Sequence, residues 1–284
     1  MKNFLLVISF TLCSFCHAYS QGLIVSYEET TNFRMPRPDL REIDNPMIRA
    51  AIESSFKERE EQMKKPSKAQ LSVSNGLSVY SFDLLDAVKS AHSEKTVNVG
   101  NSMINMNSNM QFTGPRTIYK DHHDKLHFTH ITFSDGRAYL IEKPLKELSW
   151  KIGKKRKEVS GYQCYEATAK KSDGAVVVAW YTPDIPVSEG PGDYFGLPGL
   201  ILYVDVDNGS TIYSCTAITQ VEDLAEIQIP ENMERITNEQ YRAIASEQMQ
   251  QIEEMMERRR QANDNNPNVT SGSSTRSSST MIRR

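Results

Sequence analysis

Apolar and polar residues alternate through most of the middle of this chain. That period of two puts every second side chain on one face of a β-strand. Gly22 to Thr30 reads as the first such strand. Leu71 and Val73, then Leu77 and Val79, flank Asn75-Gly76, a pair that readily takes the positive φ angles of a two-residue hairpin turn. From Phe112 to Ile229 strand follows strand. Thr117–Lys120 and Leu126–Phe133 flank Asp121-His122-His123-Asp124, and Ser134-Asp135-Gly136 turns the chain into Arg137–Glu142. Ser172-Asp173-Gly174 joins Tyr162–Lys170 to the apolar run Val176–Tyr181, and Asp207-Asn208-Gly209 joins Leu200–Val206 to Thr211–Thr219. Short strands joined by glycine turns predict an antiparallel meander, not alternating β-α units.

Two segments switch to the helical period. Asn45 can cap a helix with Pro46 in its first position. Ile48, Ala51, Ile52, Ser55 and Phe56 then recur at helical spacing until Pro66, with charged residues on the other face. Thr237 and Gln240 form a capping box ahead of a second stripe, Tyr241, Ile244, Ala245, Ile252 and Met256, running to Arg260. Asp83 to Gln111 is polar and Asn-rich and gives no clear period. The expected fold class is α+β, mainly β: a large curved antiparallel sheet with one covering helix and a C-terminal helix.

The two ends differ from this body. Lys2, the apolar run Phe4–Phe15 and Ala18-Tyr19-Ser20 read as a secretory signal peptide cleaved after Ser20. A lipoprotein start at Cys13 or Cys16 is the rival, but bulky Phe15 precedes Cys16, and Cys13 truncates the apolar run. The expected organisation is therefore a signal peptide at 1–20 and a β-rich domain at 21–235 with a helical insertion near 46–64. An amphipathic helix at 236–262 and a polar tail at 263–284, which has too little to bury to order itself, complete the chain. No later segment is apolar for the roughly 20 residues a membrane-spanning helix needs.

A formal net charge of −3 argues against a nucleic-acid footprint. Lys151 to Lys157 is one local basic run and reads as a solvated strand end. Export permits a disulfide between Cys164 and Cys215, yet each sits in an alternating strand and is equally a small buried hydrophobe. The reading leaves both options open.

Few residues carry a recognisable chemical motif. The chain has no His-Glu-x-x-His, no Gly-x-Ser-x-Gly and no Walker-type loop, and neither Cys164 nor Cys215, the cysteines left once the signal peptide is removed, lies in Cys-x-x-Cys. The one anomaly is a histidine group, His122, His123, His127 and His130, with Asp124 inside it. His122, His123, Asp124 and His127 are candidate metal ligands. However, strand alternation sends His127 and His130 to opposite faces, and the plainer reading is a polar hairpin tip. Met103, Met106 and Met110 are a weaker candidate for a thioether site, or simply gap-fillers.

Gly190-Pro191-Gly192-Asp193-Tyr194-Phe195-Gly196-Leu197-Pro198-Gly199-Leu200-Ile201-Leu202 resembles the naming motif of the GLPGLI family, exported proteins of Bacteroidota. Gly136–Glu142, Trp150–Ile152, Gly161–Ala167 and Trp180–Pro186 resemble further family segments, so the likeness covers about Thr113 to Ile229. It implies a signal peptide, an envelope location and a β-rich body, and no particular reaction. Read physically, Leu197-Pro198-Gly199-Leu200 is a type II turn with Gly199 at positive φ, and the motif reads as structural punctuation.

The resulting expectation is a non-catalytic envelope (periplasmic) binding or accessory protein, with no cofactor. Its partner is a small apolar ligand or another envelope protein. A metal-sequestering protein using the histidines or methionines, and a hydrolase with an unrecognised site, are the alternatives.

Overall fold

The computed structural model describes residues 22–32, 40–41, 45–82, 92–99, 102–109, 116–133 and 135–264. The signal-peptide reading, the tail beyond 264, Met110 and the side chains of His92, Met103 and Met106 lie outside what is described. The strands, in chain order, are β1 (Gly22–Thr31), β2 (Ser67–Ser74), β3 (Leu77–Phe82), β4 (His92–Val99), β5 (Ser102–Asn109), β6 (Thr117–Asp121) and β7 (Leu126–Thr132). They continue with β8 (Ala138–Pro144), β9 (Lys151–Val159), β10 (Tyr162–Lys170), β11 (Val176–Thr182), β12 (Leu200–Val206), β13 (Thr211–Val221) and β14 (Glu234–Ile236). The helices are α1 (Pro46–Met63) and α2 (Asn238–Asp264).

Twelve of these strands form one sheet in the order β14-β8-β7-β6-β3-β2-β1-β13-β12-β11-β10-β9. Every pairing is antiparallel except β14 on β8, as the turn chemistry predicted. Asn75 and Gly76 sit at φ 47 and 72, the paired positive angles that the Asn-Gly hairpin requires. The unreadable 83–111 stretch contributes a separate hairpin, β4 with β5, and α1 approaches β4. Asn45 caps α1 as expected, its Oδ1 accepting from the Met47 N–H at 2.9 Å.

Besides β4 and β5, two further strands escaped the sequence reading. The basic run is a full strand, β9, lying at one edge of the sheet, where lysines discourage pairing with another chain. β14 is three residues long and is the parallel edge at the other end. The Thr237–Gln240 capping box forms, with the Thr237 N–H donating to Gln240 Oε1 at 2.7 Å. Tyr241, Ile244 and Ala245 of α2 then pack on Ile131, Phe133, Tyr139, Ile141 and Ile236.

The sheet curls instead of lying flat. The Ser160 hydroxyl, in the β9–β10 turn, donates to the Cys215 carbonyl of β13 at 2.7 Å. Tyr27 of β1 reaches β12, its hydroxyl donating to the Ile201 carbonyl at 2.6 Å. The inner face is lined by Val25, Tyr27, Leu71, Tyr80, Ile118, Leu200 and Leu202, which form the main core cluster with Cys164 and Cys215. Both cysteines are free and buried. Residues 183–199, the connection from β11 to β12, fold back over this inner face. Ile185 joins the main cluster, and Tyr194 and Leu197 join a second one with Ile201 and Val204.

Candidate functional site

Antiparallel register places Ser78, Lys120, His127 and Lys143 side by side across β3, β6, β7 and β8. Cross-strand partners share a face, so one polar row runs through an otherwise apolar inner surface. Lys120 is fully buried and His127 is 2% exposed. The 183–199 connection brings two carboxylates down onto this row. Glu189, 3% exposed, lies with Oε2 2.5 Å from Lys120 Nζ, and its Oε1 meets His122 Nε2. Asp193 Oδ1 lies 2.6 Å from His127 Nε2, with Lys143 and Arg116 each 3.5 Å from its carboxylate. Phe195 closes the arrangement, its ring 5.5 Å from Lys120 Nζ and 5.6 Å from the His122 ring.

Glu189 is buried and Asp193 is 43% exposed, so desolvation alone would raise the first fully and the second in part, and in both the neighbours win. Around Glu189 the Lys120 charge and the hydrogen bonds from His122 and Lys120 outweigh desolvation and hold the carboxyl below its ordinary value. Around Asp193 the His127 hydrogen bond and the charges of Lys143, His127 and Arg116 hold it well below the usual carboxylate range. Burial lowers His127, against the pull of Asp193, so the ring is neutral near pH 7. An ionised carboxylate only accepts, so the proton sits on Nε2 and the Nδ1 lone pair faces the interior, unpartnered among the described residues.

The loop that carries these acids is tied down along its length. The Leu200 N–H donates to the Ile185 carbonyl at 3.0 Å, the Ile201 N–H to the Glu189 carbonyl at 2.9 Å and the Ser188 hydroxyl to the Leu197 carbonyl at 2.9 Å. The expected type II turn takes a different form. The Gly199 N–H bonds the Leu197 carbonyl at 2.8 Å, a three-residue turn centred on Pro198. Gly199 does have positive φ, 147°, and a Cβ there would lie 2.1 Å from the Thr182 carbonyl oxygen. Glycine is therefore required by contact as well as by conformation.

The proposed metal ligands are not brought together. His122 turns to Glu189, while His123 Nε2 meets the Asn75 carbonyl at 2.8 Å, stitching the β6–β7 turn to the β2–β3 turn. Asp124 is exposed in that turn, where Asp121 Oδ1 accepts from its N–H at 3.0 Å. His127 lies inside, on Asp193. Among the described residues no three His, Cys, Asp or Glu side chains could hold a metal ion. The reason is geometric, because turn and strand send neighbouring histidines to different surroundings. The residues that do meet His122 and His127, namely Glu189, Asp193 and Lys120, were missed. Asp193 stands inside the naming motif, which the sequence reads as structural punctuation. Nothing local marks it, since each acid meets its imidazole across more than 60 positions of sequence.

A second polar feature lies on the same inner face, near the far end of β1. Glu29 stands beside Tyr213 in the β1–β13 register. Its Oε2 and the hydroxyl of Tyr80, itself 1% exposed, are buried without a hydrogen-bond partner among the described residues. Burial pushes the Glu29 carboxyl up to about 7, opposed only in part by the Arg116 charge. Around it the rings of Tyr80 and Tyr213 lie 6.4 Å apart, Tyr27 and Tyr80 6.2 Å, and Tyr194 and Tyr213 5.7 Å, all edge to face.

Comparisons with known proteins bear on the motif segment. Residues 170–203, from the end of β10 through the naming motif, match the model of a family described as "Protein of unknown function (Porph_ging)". The GLPGLI-type resemblance thus stands where the quoted residues are densest. Two solved structures, "Structure of PNGF-II in C2 space group" and "Structure of PNGF-II in P21 space group", are similar at 11% and 12% identity, each with a TM-score of 0.49 over 78% of this chain. The similarity spans 32% of the length of those proteins. No curated protein matches.

Proposed function

We propose that the protein is a non-catalytic envelope binding or accessory protein. In this reading residues 183–199 form a fixed strap that holds the curled sheet in one shape. The observation that carries it is the engagement of the strap's acids. Glu189 and Asp193 are the groups a hydrolase would use, and both are held by Lys120, His122 and His127 against the sheet beneath the strap. An acid–base pair serves catalysis when it faces a cleft that admits substrate. Here Phe195 and the strap cover Lys120 and His127. Among the described residues no helix is long and apolar enough to cross a membrane. An envelope location rests on the signal-peptide reading and the family resemblance.

The test is recovery of the protein from envelope fractions under native conditions, followed by native mass spectrometry. A stoichiometric small molecule or a defined protein partner is the expected result. Turnover of ester or amide substrates that disappears in His127→Gln, with the fold retained, would overturn this reading in favour of a hydrolase.

A further inference from the structure

Ser78 Oγ and His127 Nδ1 each lack a hydrogen-bond partner on the inner face among the described residues, and the Glu29 corner gathers two such atoms, a carboxylate oxygen and a phenol. A buried carboxylate oxygen normally has a donor, and a buried phenol normally has a partner. Here Glu29 Oε2 and the Tyr80 hydroxyl have neither among the described residues, and Tyr80 is 1% exposed. The nearby cation does not fill the gap, because Arg116 is ion-paired with Asp193 at 3.5 Å. Tyr213 and Phe82 are only half-buried, so the corner is bordered by groups that solvent reaches. Tyr27, Tyr80, Tyr194 and Tyr213 supply an apolar, polarisable wall.

We propose that this corner binds a primary ammonium group carried on a small apolar ligand, with Glu29 Oε2 and the Tyr80 hydroxyl accepting its N–H bonds against the tyrosine wall. The proposal deepens the binding reading above and rests on it. The chemistry selects this class. An orphaned carboxylate repels anions and gains most from a charged donor, for which hydrogen bonds are roughly twice as strong as neutral ones. Electron-rich aromatic rings favour a neighbouring cation as well. The remaining charged and titratable groups around Glu29 are Arg116 at the start of β6, Tyr80 on β3, Tyr213 on β13, and Asp193 and Tyr194 on the strap. Arg116 and Asp193 offset one another, which leaves Glu29 as the charge that a ligand would balance.

The probe is n-hexylamine, with n-hexanol as the uncharged control of equal length. Both are titrated calorimetrically at pH 8 into the wild-type protein, Glu29→Gln and Tyr80→Phe. Near-UV circular dichroism verifies that each variant is folded. Hexylamine is expected to bind the wild type more tightly than hexanol does. Glu29→Gln should weaken hexylamine roughly 10- to 100-fold, and Tyr80→Phe by less, as expected for one charged and one ordinary hydrogen bond. Wild-type affinity should fall as the pH drops below about 7, where Glu29 takes up its proton, and the Gln variant should lack this dependence. Equal binding of hexylamine and hexanol, unaffected by Glu29→Gln, would overturn the ammonium assignment while leaving a binding role intact. Binding of neither probe would overturn the site itself, and the native recovery experiment would then decide the broader reading separately.

Discussion

Glu189 and Glu29 are two acids turned toward the same inner face, and they behave in opposite ways. Glu189 has Lys120 and His122 against its two oxygens and is held below its ordinary pKa. Glu29 has an unpartnered oxygen and is pushed up to about 7. Burial is common to both, so burial does not set the outcome. What differs is whether the fold brings a cation within contact. The first acid is thereby a fastener for the strap, and the second a chemically unsatisfied group. A buried charge with its partner in place indicates architecture, whereas one without a partner points toward a ligand.

The largest expected effect comes from removing the cation of the first pair. Lys120→Met leaves Glu189 buried and half-paired, which costs about 3–5 kcal/mol. Chemical denaturation should show that loss, and Lys120→Met with Glu189→Leu together should recover much of it. A Lys120→Met variant as stable as the wild type would mean that the strap is not fastened there.

The next effect has the opposite sign. Glu29 binds its proton more tightly folded than unfolded, so its contribution is fully present below pH 4.5 and is lost as pH rises through about 7. That difference corresponds to about 3 kcal/mol. Glu29→Gln should therefore stabilise the protein at pH 8 by up to that amount and change little at pH 4. Denaturation at the two pH values is the measurement, and a variant destabilised at pH 8 would show that Glu29 is already paired.

The strap side titrates the other way. His127 is lowered, so its contribution is present above its ordinary value of 6.5 and is lost as pH falls. In the wild type the two regions partly cancel just below pH 6.5, where Glu29 gains and His127 loses stability as acid is added. Glu29→Gln should expose the joint slope of His127 and His130, both lowered by burial, seen as melting that falls with acid just below pH 6.5. His127→Asn in that background should reduce it.

The smallest effect belongs to Cys164 and Cys215, which lie in the core cluster shared with Tyr27 and Tyr80. Burial pushes both thiols up to about 11, so they stay neutral and carry no charge needing a partner. In protein beginning at Gln21, which retains only Cys164 and Cys215, thiol reagents should find two groups after unfolding without reductant and almost none before. Failure to label either in the unfolded chain would mean that the two are joined.

How much of this was legible in the chain follows from the range of each interaction. Alternation of Leu71, Val73, Leu77 and Val79 about Asn75-Gly76 specified a hairpin, because side-chain period and turn conformation are local properties. The Asn45–Pro46 start of α1, the Thr237–Gln240 box and the meander from β10 to β13 were readable for the same reason. β9 was harder, since a run of lysines resembles a solvated end until its pairing with Tyr162–Thr168 is seen. The turn at Pro198 was half-legible. Its need for glycine at 199 is local, but the contact with the Thr182 carbonyl that makes the need strict is tertiary.

The site was not legible at all. Nothing near His122 or His127 in sequence announces Glu189 or Asp193, and nothing near Glu29 announces Tyr80 or Tyr213. Hydrophobic periodicity by itself determined that this protein would be a curled antiparallel sheet with an apolar inner face. Only the tertiary structure decided which charges on that face would meet. Coulomb energy and desolvation depend on distance and on exclusion of water, and both are fixed by the strap's path across the sheet instead of by any run of residues.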